Sequence, residues 1–165
     1  MIFTKGLSTK KKTLFCFFLL LTISILCFIF RNSAQSADIS SAQSEGLSRL
    51  LYNVIKTHFN GVISYHQSCV IVRTFAHFAE FAALAFCLLG ALENGFEHMK
   101  KRKTLALLIT AVSALIDETI QLFSEGRAFQ IFDLFIDVLG GLSGILFFAF
   151  IIWLINFPPR REKNG

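Results

Sequence analysis

Nine strongly polar residues sit within or at the mouth of three apolar stretches, and their types are those of acid/base, ion-pairing and metal-binding chemistry. Arg73, His77 and Glu80 stand in RTFAHFAEF, Asp117, Glu118 and Gln121 in DETIQLF, Arg127 in the SEGRAF loop, and Asp133 and Asp137 in FDLFID. On a helix, Arg73 and His77 are spaced i, i+4 with Glu80 three residues further. One face then carries a cation, a proton carrier and a carboxylate on successive turns. Asp117 and Gln121 are at i, i+4, and Glu118 and Gln121 at i, i+3. The two adjacent carboxylates diverge by about 100°, so Gln121 is expected to serve only one of them well. Asp133 and Asp137 share a face one turn apart.

The charges of this group do not balance. Five of the chain's eleven acidic residues face two guanidinium groups and one imidazole. Like charges in a partly desolvated site push one or more carboxyl pKa values upward. Either some of these acids are protonated at neutral pH, or a cation or cationic ligand completes the site. Paired carboxylates with divergent pKa values are what acid/base catalysis requires. Glu118 and Glu80 are the general acid/base candidates and His77 a proton shuttle. Arg73 and Arg127 suit a phosphate or carboxylate, with Gln121 and Asp117 completing the binding set. Asp133 and Asp137 are orienting groups or cation ligands. Each has a structural alternative: an arginine neutralising an acid so that helices pack, a hydrogen-bonded interior histidine, or Asp133 capping a helix start. The HxxE spacing is a weak metal signal and no cysteine supports it, so the only cofactor suggested is a cation among the carboxylates.

The elements that position these residues are membrane helices. The chain has 165 residues, 54% of them hydrophobic, including 20 Phe, which leaves room for one membrane bundle. A spanning helix needs roughly 17–25 mostly apolar residues, and residues 13–30, 70–91, 105–123 and 131–157 qualify. An ionisable residue inside such a span costs about 2.5–3.5 kcal/mol on insertion scales, which makes it a functional-site hypothesis by default. The fold class expected is all-α, a four-helix transmembrane bundle. Lys5, Lys10, Lys11 and Lys12 precede the first span, Lys100, Lys101, Arg102 and Lys103 separate the second and third, and Arg160, Arg161 and Lys163 follow the fourth. The positive-inside rule then places both termini in the cytoplasm and the polar cluster on the outer side of the membrane. The same rule accounts for the basic pI, and nucleic-acid binding is not expected.

The first span has a second reading as a cleaved secretory signal ending near Ala34 and Ser36. Its length and the Arg31 directly after it favour a retained anchor. Cys16, Cys27, Cys69 and Cys87 have neither metal-binding nor disulfide spacing. Residues 31–69 open with a Ser/Ala/Gln-rich stretch read as a flexible linker. An amphipathic helix over 46–59 follows, with Leu47, Leu50, Leu51, Val54, Ile55 and Phe59 on one side, ended by Asn60-Gly61. It suits either the outer membrane interface or packing against the bundle's outer end. The third and fourth spans form a tight hairpin. Gly140, Gly141 and Gly144 in the fourth are expected to let another helix backbone approach closely, and Trp153 anchors the inner interface. No internal repeat is visible.

Taken together, RTFAHFAEF, DETIQLF, SEGRAF and FDLFIDVLGGLSG resemble, in order and over roughly residues 70–150, the motifs of the VanZ-like family of bacterial membrane proteins, with a first span of the expected kind before them. Two positions depart from its pattern: Thr74, where a second basic residue is common, and Phe81, where Tyr is common. The resemblance implies a cell-envelope location and an association with resistance to teicoplanin, a lipid-bearing glycopeptide. It implies no particular reaction. Three functions are compatible with the residues: an intramembrane enzyme working on an envelope lipid or lipid-linked precursor, a module that binds or shields such a ligand, and an ion-coupled carrier. The carrier is disfavoured because the charges avoid the midplane and no inverted repeat exists. A pure assembly factor, with the polar cluster holding helices together, is a fourth. Membrane lipids or a lipid-linked ligand are the expected partners, and the sequence points to no oligomeric state.

Overall fold

The computed structural model describes residues 8–58, 63–96 and 99–157. Lys5, Phe59, Asn60, Gly61, Arg160, Arg161 and Lys163, used above for orientation and for the end of the amphipathic helix, lie outside them. Among the described residues all regular structure is helical: α1 Thr9–Ser33, α2 Ala37–His58, α3 Tyr65–Gly95, α4 Arg102–Leu122 and α5 Ile131–Ile155. Four of these, α1, α3, α4 and α5, are long and apolar enough to cross a membrane.

Helix α3 is the centre of the bundle and packs on each of the other four. It begins earlier than hydropathy suggests because a capping box starts it. Ser64 Oγ accepts from the Gln67 amide at 3.2 Å, and the Gln67 side chain accepts from the Ser64 amide at 2.7 Å. Arg73 therefore lies two turns inside the helix rather than at its mouth.

Helices α3 and α5 run parallel, and their contact is backbone to backbone. A Cβ added at Gly140 would meet the main chain of Phe78, and one at Gly144 the main chain of Ala82. Matching i, i+4 steps on both helices let the small residues seat without a side chain between them. Gly141 instead faces the Thr110 methyl of α4. On α3, Gly90 and Gly95 lie under the Phe18 and Phe15 rings of α1.

Two apolar clusters fill the bundle. Ala85, Leu88, Leu89, Leu92, Ala106, Ile145 and Phe148 form one, where Phe18, Phe86 and Phe148 meet edge to face. Ile29, Phe81, Leu84 and Ala114 form the other. Phe81 is fully buried there, so its ring serves packing. All four cysteines are free thiols.

The ends of the bundle differ in character. At one end lie the basic residues Lys10, Lys11 and Lys12 of α1 and the segment before α4, where Arg102 pairs with Glu93. At the other, the α1–α2 junction is tied to the α4–α5 loop. The Ala37 amide donates to the Glu125 carbonyl at 3.0 Å, and Ser124 Oγ to the Ser33 carbonyl at 2.7 Å.

The stretch expected to be a flexible linker is helical from Ala37 onward. Ser36 begins the helix, its carbonyl accepting from the Ser40 amide at 3.1 Å and its hydroxyl from the Ile39 amide at 3.5 Å. Asp38 complements the dipole in the first turn, and Glu45 pairs with Arg49 at i, i+4. The side of α2 turned to the bundle is its serine side, with Ser48 fully buried, whereas Leu47, Leu50 and Val54 are exposed. Small hydroxyl side chains let α2 lie close to α3; Leu47 and Leu50 are left facing away, while Leu51 and Ile55 of the same apolar set are half-buried.

Candidate functional site

The polar residues collect at the end of the bundle that carries α2, and the parallel α3/α5 pair sets their register. Arg73 and His77 on α3 stand opposite Asp133 and Asp137 on α5, one turn apart on each helix. Arg73 Nη2 donates to Asp133 Oδ2 at 3.0 Å and to Gln121 Oε1 of α4 at 3.0 Å, so a single guanidinium nitrogen ties three helices. His77 Nδ1 lies 3.2 Å from Asp137 Oδ1. The Arg73 side chain is 36% exposed and that of His77 12%, against 8% for Asp133 and none for Asp137. Cations thus lie toward the open side and carboxylates toward the interior.

Helix α4 supplies the deepest layer, where Asp117, Glu118 and Gln121 are all fully buried. The expectation that Gln121 serves only one carboxylate is corrected. Its Nε2 donates to Asp117 Oδ2 at 2.9 Å and to Glu118 Oε1 at 3.2 Å. A primary amide has two N–H bonds about 120° apart, and a residue placed at both i+3 and i+4 straddles the gap between the two acids. The second Glu118 oxygen accepts from the Gln130 amide at 2.7 Å, at the N-terminus of α5. Glu118, a candidate general acid/base, is thereby held on both oxygens.

Sequence reasoning gave α1 no part in the site. Ser33 Oγ donates to the other Asp117 oxygen, closing that carboxylate between α1 and α4. The available signal was register: Thr22, Ile29 and Ser33 are the buried residues of α1 and share one face at i, i+7, i+11. Ending the helix at residue 30 put Ser33 in a linker and hid it.

Glu80 and Arg127 complete the expected set without joining this hydrogen-bonded layer. Both line a cavity of about 170 Å³ between α1, α2 and α3, together with Asn32, Arg73 and His77. A larger cavity, about 510 Å³, lies on the α2 side of Arg73 and Arg127, lined by Ser40, Ser44, Tyr65 and His66. Burial, then the neighbouring Arg73, pushes the Arg127 guanidinium below its ordinary pKa, while Asp117, Glu118 and Glu80 pull it back up. Arg127 remains a cation at any physiological pH.

All nine polar residues thus lie at one end of the bundle. Four of them, His77, Asp117, Glu118 and Asp137, bring a potential ligand atom each to within 4.8 Å of one another. Cations and a proton carrier at a cavity wall, above buried and firmly oriented carboxylates, make an arrangement able to hold an anion or a metal ion and to move a proton.

No curated protein and no solved structure matches the chain. The resemblance read from the motifs over residues 70–150, with a first span of the expected kind, is matched from within α1 to near the end of α5. The VanZ/LLP1 family model matches residues 18–154, and the chain belongs to that family of membrane proteins.

Proposed function

We propose that this chain works in the bacterial cell envelope with its polar end facing the outer leaflet, where it binds and acts on the anionic headgroup of a lipid or lipid-linked envelope precursor. Resistance to teicoplanin-type lipoglycopeptides is the process in which we place it. The observation that carries the reading is the cavity wall shared by Arg73, Arg127, His77 and Glu80. Two guanidinium groups at one opening are suited to a phosphate or carboxylate. His77 and Glu80, three residues apart on α3, supply a proton carrier and a carboxyl beside it. Glu118 and Asp117 act as positioning groups, because each of their oxygens already accepts a hydrogen bond.

Two further features support the outward orientation and a lipid ligand. Lys10, Lys11, Lys12, Lys100, Lys101 and Lys103 are all at the opposite end of the bundle, as the positive-inside rule asks of a cytoplasmic face. Helix α2 turns Leu47, Leu50 and Val54 away from the protein while its serines line the larger cavity. Lying in the interface, it would separate acyl chains from a polar vestibule.

The test uses purified protein in nanodiscs of phosphatidylglycerol and phosphatidylcholine doped with a polyprenyl phosphate, with retained lipid read by mass spectrometry. Enrichment of the polyprenyl phosphate is expected, with the Arg73→Ala/Arg127→Ala variant losing about tenfold or more of it. Equal enrichment by that variant removes the reading. A covalently altered lipid that disappears in Glu80→Gln identifies an enzyme; enrichment without product identifies a binding module.

A further inference from the structure

Below the cavity, side chains from three helices converge on one small volume. His77 of α3, Asp117 and Glu118 of α4, and Asp137 of α5 bring their ligand-type atoms within 4.8 Å of one another. A group of acids alone would carry little. Here an imidazole joins three carboxylates, and the Asp137 Oδ2 atom is buried without a hydrogen-bond partner among the described residues, on a side chain with 0% exposure. Leaving a carboxylate oxygen buried and unmatched is costly in any interior, and more so at membrane depth. The separation of His77 Nδ1 and Asp137 Oδ1, 3.2 Å, suits two neighbouring ligands on one ion as well as it suits a hydrogen bond. Ligands about 2.0–2.2 Å from a metal and about 90–110° apart stand roughly 3.0–3.5 Å from each other.

We infer that His77, Asp117, Glu118 and Asp137 hold one divalent first-row transition cation of the Mn2+ or Zn2+ kind. The donor set selects the class: an imidazole disfavours Mg2+ and Ca2+, which take oxygen ligands, and the absence of thiolate disfavours soft ions. The surroundings are those of a supported site. Ser33 Oγ and Gln121 Nε2 hold the two Asp117 oxygens, and Gln121 Nε2 and the Gln130 amide hold those of Glu118, which orients both carboxylates while leaving lone pairs free. The charges also agree. Arg73 neutralises Asp133, a dication leaves one negative charge among the three ligating carboxylates, and Arg127 at the cavity wall offsets it. With the ion bound His77 serves as a ligand rather than as the proton carrier, and Glu80, outside the ion's set, is the carboxyl left to handle a proton in the ligand space assigned to it above.

The inference deepens the proposed function, on which it rests for the site's purpose, but its test needs no lipid ligand. Purified protein in detergent is stripped with chelator, dialysed against Mn2+ or Zn2+, passed over a desalting column and analysed for metal by mass spectrometry. Roughly one ion per chain is expected, falling about tenfold or more in His77→Ala and Asp137→Asn, as loss of a metal-site group commonly does. Asp38→Asn, exposed in the first turn of α2, keeps the ion. Wild-type protein that holds neither ion, or equal occupancy in all three variants, overturns the inference. Should His77→Ala and Asp137→Asn fail to fold, the wild-type melting temperature decides: a rise with Mn2+ or Zn2+ and none with Mg2+ supports the site, and no rise with any of them overturns it. Protein that takes up neither ion yet still enriches polyprenyl phosphate sinks the ion alone, whereas metal-loaded protein without lipid enrichment sinks the lipid reading alone.

Discussion

The closeness of α3 and α5 makes the site depend on two glycines that touch none of its ligands. Consider Gly140→Ala with Gly144→Ala. An alanine Cβ at 140 would lie 3.1 Å from both the carbonyl carbon and the Cα of Phe78, and nearer still to its carbonyl oxygen. At 144 the same holds for Ala82, with the Cα at 3.1 Å and the carbonyl carbon at 2.8 Å. These obstacles are main chain, so no rotamer change relieves them, and the helices must separate. Overpacking of this kind costs about 1–3 kcal/mol per site, and a rigid obstacle belongs in the upper half of that range. Alanine returns about 0.8–1.0 kcal/mol of intrinsic helix preference. A net loss of roughly 1–2 kcal/mol per site remains, so overpacking wins. For a chain of this size each kcal/mol is worth about 2–4 °C of melting temperature, and the double variant should melt roughly 5–15 °C lower.

The chemical consequence follows from register. Asp137 lies one turn from Gly140, and His77 is the neighbour of Phe78. Moving the helices apart by about 1 Å, enough to restore ordinary contact, takes His77 Nδ1 and Asp137 Oδ1 from 3.2 Å beyond hydrogen-bond reach. Gly46→Ala is the matched control: nothing lies within 4 Å of a Cβ there, on exposed α2, so only the helix preference remains and stability should hold or rise. Fluorescence-detected size-exclusion melting in detergent reads all three proteins. A double variant that melts with wild type, while Gly46→Ala behaves as described, would refute the backbone contact and the register built on it.

Other perturbations address the layers separately. Ser33→Ala removes the donor to a fully buried Asp117 oxygen and should lower stability by about 1–3 kcal/mol; a melting curve equal to wild type removes α1 from the site. Arg73→Lys keeps the charge but loses the planar fork that reaches Gln121 and Asp133 together. Because that arginine is 36% exposed, the thermal cost should be only about 1 kcal/mol after solvent screening, with the larger effect in anionic-lipid retention. A spin label on Leu50→Cys, with Cys16, Cys27, Cys69 and Cys87 replaced by Ala, should be relaxed by oxygen in the bilayer more than by a water-soluble nickel chelate; the reverse order would detach α2 from the interface.

Most of the polar site was legible in the sequence because charge in an apolar span is expensive wherever it occurs. Arg73, His77, Asp117, Glu118, Asp133 and Asp137 announce themselves by that cost, and the spacing i, i+4 on both partner helices fixes which pairs can meet. Gly140 and Gly144 were legible for a similar reason, since two glycines four apart in a membrane helix leave a groove only another backbone can fill. Helix ends were less legible. The start of α3 is set by the Ser64–Gln67 capping box, which hydropathy does not register. The start of α2 is set by serines and alanines, a composition shared with true linkers.

Hydroxyl groups explain what stayed hidden. In a membrane helix a Ser or Thr side chain can satisfy itself on its own helix, as Thr22 does on Phe18, Thr110 on Ala106 and Ser113 on Ile109, each at 2.8–2.9 Å. Such a residue costs little when buried and so marks nothing. Ser33 differs only in where its hydroxyl points: across to Asp117 rather than back along α1. Position decides the difference, because Ser33 is the last residue of α1, beside the buried end of α4. The arginines, histidine and acids therefore tell where the site is, but the small hydroxyl that completes its deepest carboxylate becomes visible only when the helices are packed together.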